Sequence, residues 1–294
     1  MEIVVASGKG GTGKTFIASN LTLFLKERMG NVVSLDADIE APDLLTALGG
    51  PKNILKQHEI WDSAKAEIDY SKCVHCMRCL KVCSFHALRE KSGRIEIIPE
   101  FCEGCGACKY VCPTNAITYK KTRTGVIYIA QCRLGVPVVT GDLEVGQRNL
   151  GHLVYEAKKV AKKVAEEVNS KHIIVDAAAG IGCPVISSLA GADVLLIVVE
   201  PTPQSLKGAK RLLQVAEKFN LEKFMIINKY DLNRDFSRKI NDHFKTRILG
   251  RIPYNEDVIE SYTAMNPILF YKPASPISKT LKEIFQTLVE EAEI

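Results

Sequence analysis

Three groups of residues in this sequence have types and spacing that could do chemistry. The first begins at Gly8. Gly8-Lys9-Gly10-Gly11-Thr12-Gly13-Lys14-Thr15 fits the pattern GxxxxGK[ST]. Such a glycine backbone can curl its N–H groups around phosphate oxygens, while Lys14 reaches the β and γ phosphates and the Thr15 hydroxyl ligates Mg²⁺. The second group is acidic: Asp36-Ala37-Asp38, with Glu40 and Asp43 behind it, and Asp176, followed four residues on by Gly180. Carboxylates placed there lie near a metal and an attacking water, and Gly180 can bring its N–H to the γ-phosphate with no side chain in the way.

The third group is eight of the ten cysteines, in two CxxCxxCxxxC runs: Cys73, Cys76, Cys79, Cys83 and Cys102, Cys105, Cys108, Cys112. Three closely spaced thiolates can cap three irons of one [4Fe–4S] cubane, and the fourth, one helical turn on, faces the other cluster. The spacing assigns Cys73, Cys76, Cys79 and Cys112 to one cluster, and Cys102, Cys105, Cys108 and Cys83 to the other. Matching tails, Phe85-His86-Ala87-Leu88 and Asn115-Ala116-Ile117, make this an internal repeat. Zinc sites favour CxxC pairs over such runs. With all eight positions filled by Cys, His75 and His86 are read as solvent-facing or as neighbours of the ligands.

These groups need elements to hold them. Ile3 to Ala6 reads as a strand, the glycine loop follows, and Ile17, Ala18, Leu21, Phe24 and Leu25 repeat at helical spacing, so phosphates would meet a helix N-terminus. Further strands are predicted at Asn31–Leu35, Lys171–Asp176, Val194–Val199, Phe224–Ile227 and Arg247–Pro253. Helices are predicted from Leu150 through Leu153, Val154, Ala157 and Val164 to Val168, at Ser205–Phe219, and at the C-terminus through Ile277, Leu281, Phe285 and Leu288. Lys158, Lys159, Lys162 and Lys163 read as the wet face of the first of these helices. Gly49 to Asp69 reads as a short strand and a junction. Strands alternating with helices, with phosphate chemistry at strand ends, predict an α/β, doubly wound, mostly parallel sheet. A small α+β domain around the cysteine runs, which resembles ferredoxins, interrupts it, giving boundaries at 1–67, 68–120 and 121–294.

The KGGTGKT form of the loop, with its second lysine Lys9, resembles the deviant Walker A loop of the MinD/ParA/Mrp and nitrogenase iron-protein class of ATPases. That resemblance implies ATP, an ATP-dependent homodimer, and a Lys9 that crosses the interface to the partner's nucleotide. It also implies that Asp38 orients the water while Asp36 stands nearer the Mg²⁺, and that Asn228, in Asn228-Lys229-Tyr230-Asp231, and Pro253 contact the base. The NKxD pattern reads guanine in GTPases, and class membership tips the reading to ATP. Residues 68–119 are similar to two-[4Fe–4S] bacterial ferredoxins, with Ser84 where the pattern has Pro. Cys183 lies seven residues after Asp176, the offset of the cluster-ligating cysteine in nitrogenase iron proteins, and is a speculative metal ligand on a dimer axis. Cys132 reads as a small buried hydrophobe.

Ten cysteines without a secretory signal argue for metal ligation in a reducing cytosol. At 46% hydrophobic and 25% charged, the 294 residues can bury a core. Two clusters at about −2 each would reduce the formal +5 to roughly +1, which removes the argument for a nucleic-acid partner. The C-terminal helix ends Glu-Glu-Ala-Glu-Ile, not in a basic anchor, so no membrane binding is expected. The leading expectation is an iron–sulfur ATPase that couples ATP binding and hydrolysis to electron transfer, or to metal cofactor assembly on a client metalloprotein. A ParA/MinD-type positioning switch with structural clusters and a simple electron carrier are the alternatives.

Overall fold

The structure, a computed structural model, describes residues 1–148, 151–244 and 246–294. In chain order it runs β1 (Glu2–Ser7), α1 (Lys14–Met29), β2 (Val32–Asp36), α2 (Leu44–Ala47), β3 (Pro51–Ile60), β4 (Ser63–Ile68), α3 (Arg78–Val82), β5 (Leu88–Lys91), β6 (Arg94–Ile97), α4 (Ala107–Tyr110) and β7 (Ile117–Thr122). It continues with β8 (Gly125–Cys132), β9 (Pro137–Leu143), α5 (His152–Glu167), β10 (His172–Ala179), α6 (Cys183–Leu189), β11 (Val194–Val199), α7 (Pro203–Ala216), β12 (Glu222–Asn228), α8 (Arg234–His243) and β13 (Arg247–Ile252). Three helices close the chain: α9 (Glu256–Thr263), α10 (Ile268–Tyr271) and α11 (Pro276–Glu291).

The first of two compact units comprises residues 1–57, 127–142 and 149–294. Its sheet has the order β13-β12-β11-β1-β10-β2-β9-β8-β3. Pairing is parallel from β13 through to β9. β1, β2 and β11 are buried at every position, as strands covered on both faces must be. Connections from β1 lead towards β2, whereas those from β10 lead towards β11. The phosphate loop therefore sits at the switch point where such sheets bind ligands.

α1 lies under the sheet and is buried nearly all round through its first three turns. Its polar side chains are satisfied locally: Asn20 Nδ2 donates to Phe16 O (2.8 Å), Asn20 Oδ1 accepts Leu269 N–H (3.0 Å), and Thr22 bonds Ser34 (2.8 Å). Phe24 packs on Phe285 of α11 with ring centroids 5.6 Å apart.

Several features depart from the sequence reading. Lys158 is not on the wet face of α5. It is 4% exposed, pairs with Glu2 at 2.5 Å and donates to the carbonyls of Ser188 (2.7 Å) and Ala190 (2.6 Å) at the end of α6. A helix buried on one face against another helix has flanks where a lysine stem can tuck in. β3 is ten residues long, where a short strand was expected, and nearly all of it is exposed at the sheet edge, so it carries no alternation to read. The β8–β9 hairpin, turned at Gly135 (φ 74°), was not anticipated either. Leu150, placed in the helix by its spacing, lies outside the described residues.

The second unit comprises residues 58–126 and 143–148. It is wider than the 68–120 expected from the cysteines, because β4 pairs antiparallel with β7 from Ser63↔Thr122 to Ile68↔Ile117. β5 and β6 form a second hairpin, and α3 packs on α4. The two cysteine runs share a backbone signature. Left-handed residues stand at His75 and Gly104, at Met77 and Gly106, and at His86 and Asn115, which are equivalent positions of the repeat. Among the described residues no helix is long and apolar enough to cross a membrane.

Candidate functional site

The loop between β1 and α1 is held from outside as well as by its own turns. Ser7 Oγ donates to Lys9 O (2.6 Å), Asn228 Nδ2 to Thr12 O (2.8 Å), and Lys229 Nζ to Gly11 O (3.0 Å). Gly8 abuts Gly208 of α7 backbone to backbone; a Cβ on either would collide with the other. Gly13 opens α1 at φ 97° with Asn228 against it. Gly8 and Gly208 are required for space, and Gly13 for both space and conformation.

Beside the loop is a cavity of about 530 Å³. Of the expected nucleotide residues, Gly10, Gly11, Gly13, Lys14, Thr15, Asp36, Asp38, Asp176, Asn228 and Pro253 line it. Gly8, Lys9, Thr12 and Gly180 do not. Lys9 Nζ is 2.5 Å from Glu200 Oε1, and the Gly180 N–H donates to Ser7 O at 2.9 Å, so neither group faces the cavity. Asp231 accepts the Tyr254 N–H (2.7 Å) and also stands off the wall.

The acidic residues of β2 and β10 converge. Thr15 Oγ1 donates to Asp176 Oδ2 at 2.5 Å, and Asp176 Oδ1 is buried without a hydrogen-bond partner. Asp36, fully buried, accepts the N–H groups of Asp38 (3.1 Å) and Leu44 (2.8 Å), which shapes the loop carrying Asp38 and Asp43. Burial, then the neighbouring Asp176, pushes the Asp36 carboxyl well above its ordinary value. Burial likewise raises Asp176 to about 7, with Thr15 and Lys14 opposing and Asp38 and Asp43 adding to the rise. Asp38 is raised by burial against the pull of Lys14.

One wall was not read from the sequence. Val258, Ile259 and Tyr262 of α9 close the cavity opposite the loop. Burial, then the charges of Asp43, Asp176 and Asp36, push the Tyr262 phenol up to about 12, so it remains an O–H donor at neutral pH. No motif flags this helix. Glu200 directly follows β11 beside the loop, as Asp36 ends β2, and that parallel could have marked it as a partner for Lys9.

In the second unit the eight cysteines surround two small cavities. Cys73, Cys76, Cys79 and Cys112 line one; Cys83, Cys102, Cys105 and Cys108 line the other. Donors reach the sulfurs: Ala116 N–H to Cys112 Sγ (3.2 Å), Ala66 N–H to Cys102 Sγ (3.4 Å), and Tyr119 Oη beside Cys108 Sγ (3.5 Å). Burial pushes the Cys112 thiol up, but hydrogen bonds from Ala116, Thr114 and Ile117 outweigh it and hold the thiol below its ordinary value. His75 lies along the first cavity. Among the described residues no three His, Cys, Asp or Glu side chains converge as they would on a single metal ion, and this includes exposed Cys183. Cys132 is fully buried in the core at the end of β8.

Comparisons with known proteins agree with this architecture. An uncharacterised protein of Methanocaldococcus jannaschii is 34% identical over 99% of this chain and 97% of its own length. Pyruvate synthase subunit PorD of the same organism is 36% identical over 70 residues, which is 23% of this chain and 81% of PorD. Among solved structures, the septum site-determining protein MinD of Pyrococcus horikoshii, complexed with Mg-ADP, superposes with a TM-score of 0.62 over 98% of this chain and 95% of that one. At 17% identity that is a likeness of fold. The CobQ/CobB/MinD/ParA nucleotide binding domain matches residues 3–268, from the strand before the phosphate loop to beyond the α9 wall, and the chain belongs to that family.

Proposed function

We propose that this chain is a cytoplasmic, Mg²⁺-dependent ATPase, working as an ATP-dependent homodimer, whose second unit carries two [4Fe–4S] clusters. ATP binding and hydrolysis then drive electron transfer, or metal cofactor assembly, on a client metalloprotein. The observation that carries the reading is the grouping of eight cysteines, four and four, around two cavities in a chain that also retains Lys9, Lys14, Thr15, Asp38 and Asp176.

The donor sets fit these groups. Four thiols around each cavity, with N–H and O–H donors aimed at sulfur, suit a cubane, which when bound supplies one-electron chemistry. The unpartnered Asp176 Oδ1 and the raised carboxyls of Asp36 and Asp38 suit Mg²⁺, since a divalent cation relieves like-charge crowding. Lys14 balances phosphate charge, Asp38 orients water, and Asn228 braces the loop from the base side. Asp231 turned to the Tyr254 backbone supports adenine over guanine.

A positioning switch with purely structural clusters is the second reading, favoured by the likeness to MinD. Redox titration of anaerobically purified protein with and without Mg·ATP separates the two. A nucleotide-dependent midpoint potential is expected; two clusters indifferent to Mg·ATP would favour the switch, and protein without iron would end the first reading.

A further inference from the structure

Tyr119 stands on β7 opposite Ala66 of β4, and together they bring a hydrogen-bonding group to each of two sulfurs. The Ala66 N–H donates to Cys102 Sγ at 3.4 Å, and Tyr119 Oη lies 3.5 Å from Cys108 Sγ. Both cysteines are buried, and Tyr119 lines the same cavity as Cys83, Cys102, Cys105 and Cys108. In a thiol–phenol pair either group can donate. A metal-bound Cys108 thiolate has no proton left, while a phenol keeps its own at neutral pH, so Tyr119 is then the donor. Two ammoniums stand close by: Lys109 Nζ is 6.0 Å from the centroid of the Tyr119 ring, and Lys65 Nζ is 2.7 Å from Cys102 O.

The repeat does not supply the same group to the other site. Ala116 is the equivalent of Ala87, so Tyr119 is the equivalent of Glu90, and the counterpart of the Tyr119–Cys108 pair is Glu90–Cys79. Glu90 is an exposed residue of β5, and a carboxylate accepts hydrogen bonds without donating them. At the site of Cys73, Cys76, Cys79 and Cys112, the sulfur of Cys112 accepts the Ala116 N–H at 3.2 Å and lies 3.8 Å from Thr114 Oγ1.

We propose that Tyr119 is a positioning residue that raises the reduction potential of the cluster held by Cys83, Cys102, Cys105 and Cys108, and of that cluster alone. This rests on the functional reading above. The electron comes from an external low-potential one-electron donor, dithionite in the test below. It adds negative charge to the cluster and its sulfurs; no bond forms or breaks, and the phenol proton stays on Tyr119. The hydrogen bond to Cys108 strengthens on reduction and so favours the reduced form. Burial of Cys102 and Cys108 keeps water from this part of the site, so the O–H dipole acts with little screening. The tyrosine thereby biases electrons toward one half of a repeat whose ligand sets are otherwise alike.

The test is an EPR-monitored dithionite titration of the full chain, purified anaerobically, as wild type, Tyr119→Phe and Lys65→Met. Tyr119→Phe keeps the ring and removes the donor. For one cluster its reduced-to-oxidised ratio at fixed potential should fall about three- to tenfold, a downward shift of about 28 to 59 mV for a one-electron couple. The other midpoint and the iron content should stay as in the wild type. Lys65→Met removes the ammonium beside Cys102 and should lower the same midpoint and no other, which identifies the cluster. Unchanged midpoints in Tyr119→Phe overturn the proposal and leave the functional reading standing, as do two midpoints lowered alike or a Lys65→Met shift confined to the other cluster. Loss of iron from Tyr119→Phe would make the residue a packing one and overturn the proposal too. A wild type that binds no iron removes the functional reading, and the proposal with it.

Discussion

Lys9 Nζ lies 2.5 Å from Glu200 Oε1 within one chain, and Lys229 Nζ stands 3.6 Å from the other carboxylate oxygen. The Glu200 side chain is 10% exposed and that of Lys9 40%, so the pair sits at the rim, with the carboxylate inside. A Lys9 that reaches a partner's nucleotide must first leave Glu200, and Lys229 remains to balance the charge left behind. Glu200→Gln should therefore tighten ATP-dependent dimerisation by up to about fivefold per subunit, or about thirtyfold for the two pairs of a dimer, since a partly exposed ion pair contributes about 1 kcal/mol at most. Lys9→Ala should bind nucleotide as a folded monomer and fail to dimerise. Light scattering with a non-hydrolysable analogue reads both, and a Lys9→Ala protein that dimerises normally would remove the role of Lys9.

Lys14 and Asp38 face the same cavity, and the proposed function gives them opposite tasks. Lys14→Ala removes phosphate charge balance and should abolish measurable nucleotide binding. Asp38→Ala should bind nucleotide as the wild type does and hydrolyse it at least about 100-fold more slowly, the usual scale for losing a group that acts on the transition state. Equilibrium binding and phosphate release separate the two effects. Unchanged turnover in Asp38→Ala would take water orientation away from this residue.

The contact between Gly8 and Gly208 makes a different prediction, because no side chain is involved. In Gly208→Ala the new methyl must displace the phosphate loop or α7. Nucleotide affinity should fall at least about tenfold, the effect of roughly 1.4 kcal/mol of lost complementarity. Circular dichroism should show the fold retained. Wild-type affinity in this variant would mean that α7 gives way and the loop does not.

How much of this was legible beforehand depended on whether a residue's task leaves a local mark. The phosphate loop and the cysteine runs did, since their chemistry demands fixed types at fixed spacing, and buried strands such as Val194–Val199 did, since burial on both faces leaves an unbroken apolar run. The edge strand β3 did not, because exposure on both faces removes periodicity. Lys158 was misread because a helical stripe is silent about a neighbour's flank, and its partner Glu2 lies 156 positions away. The α9 wall depends on contacts between distant segments and has no pattern of its own.

The raised carboxyl of Asp176 gives the metal-free protein a pH dependence with a definite sign. Its folded value of about 7 lies above the ordinary 3.8, so between them the folded chain holds a proton that the unfolded chain has released. That contribution to stability is complete below about pH 3.8 and is lost as pH rises through about 7. With chelator present, wild-type protein should lose melting temperature between pH 5 and pH 8, by roughly the one-proton linkage slope. Asp176→Asn should lose distinctly less, and Mg²⁺ should restore the wild type at pH 8. Parallel pH profiles for the two proteins would assign the dependence elsewhere.

The cysteine repeat allows a test in which equivalent positions behave differently. Gly104 and His75 are both left-handed, at φ 63° and 53°. His75 is exposed at the border of the first cavity, whereas a Cβ at Gly104 would run into the Ala64 carbonyl on β4. Gly104→Ala combines that collision with a left-handed alanine and should cost about 2 kcal/mol or more. Its loop carries Cys102 and Cys105, so iron in anaerobic protein should drop from about eight per chain to about four, with the spin-coupled signal of two reduced clusters replaced by that of one uncoupled cluster. His75→Gly exchanges a strained left-handed side chain for a residue that adopts this conformation freely, and should change stability by less than about 1 kcal/mol and leave iron content intact. Equal iron loss in the two variants would mean that the loops respond to substitution in general, and zinc in place of iron in either anaerobic preparation would count against the cubane assignment itself.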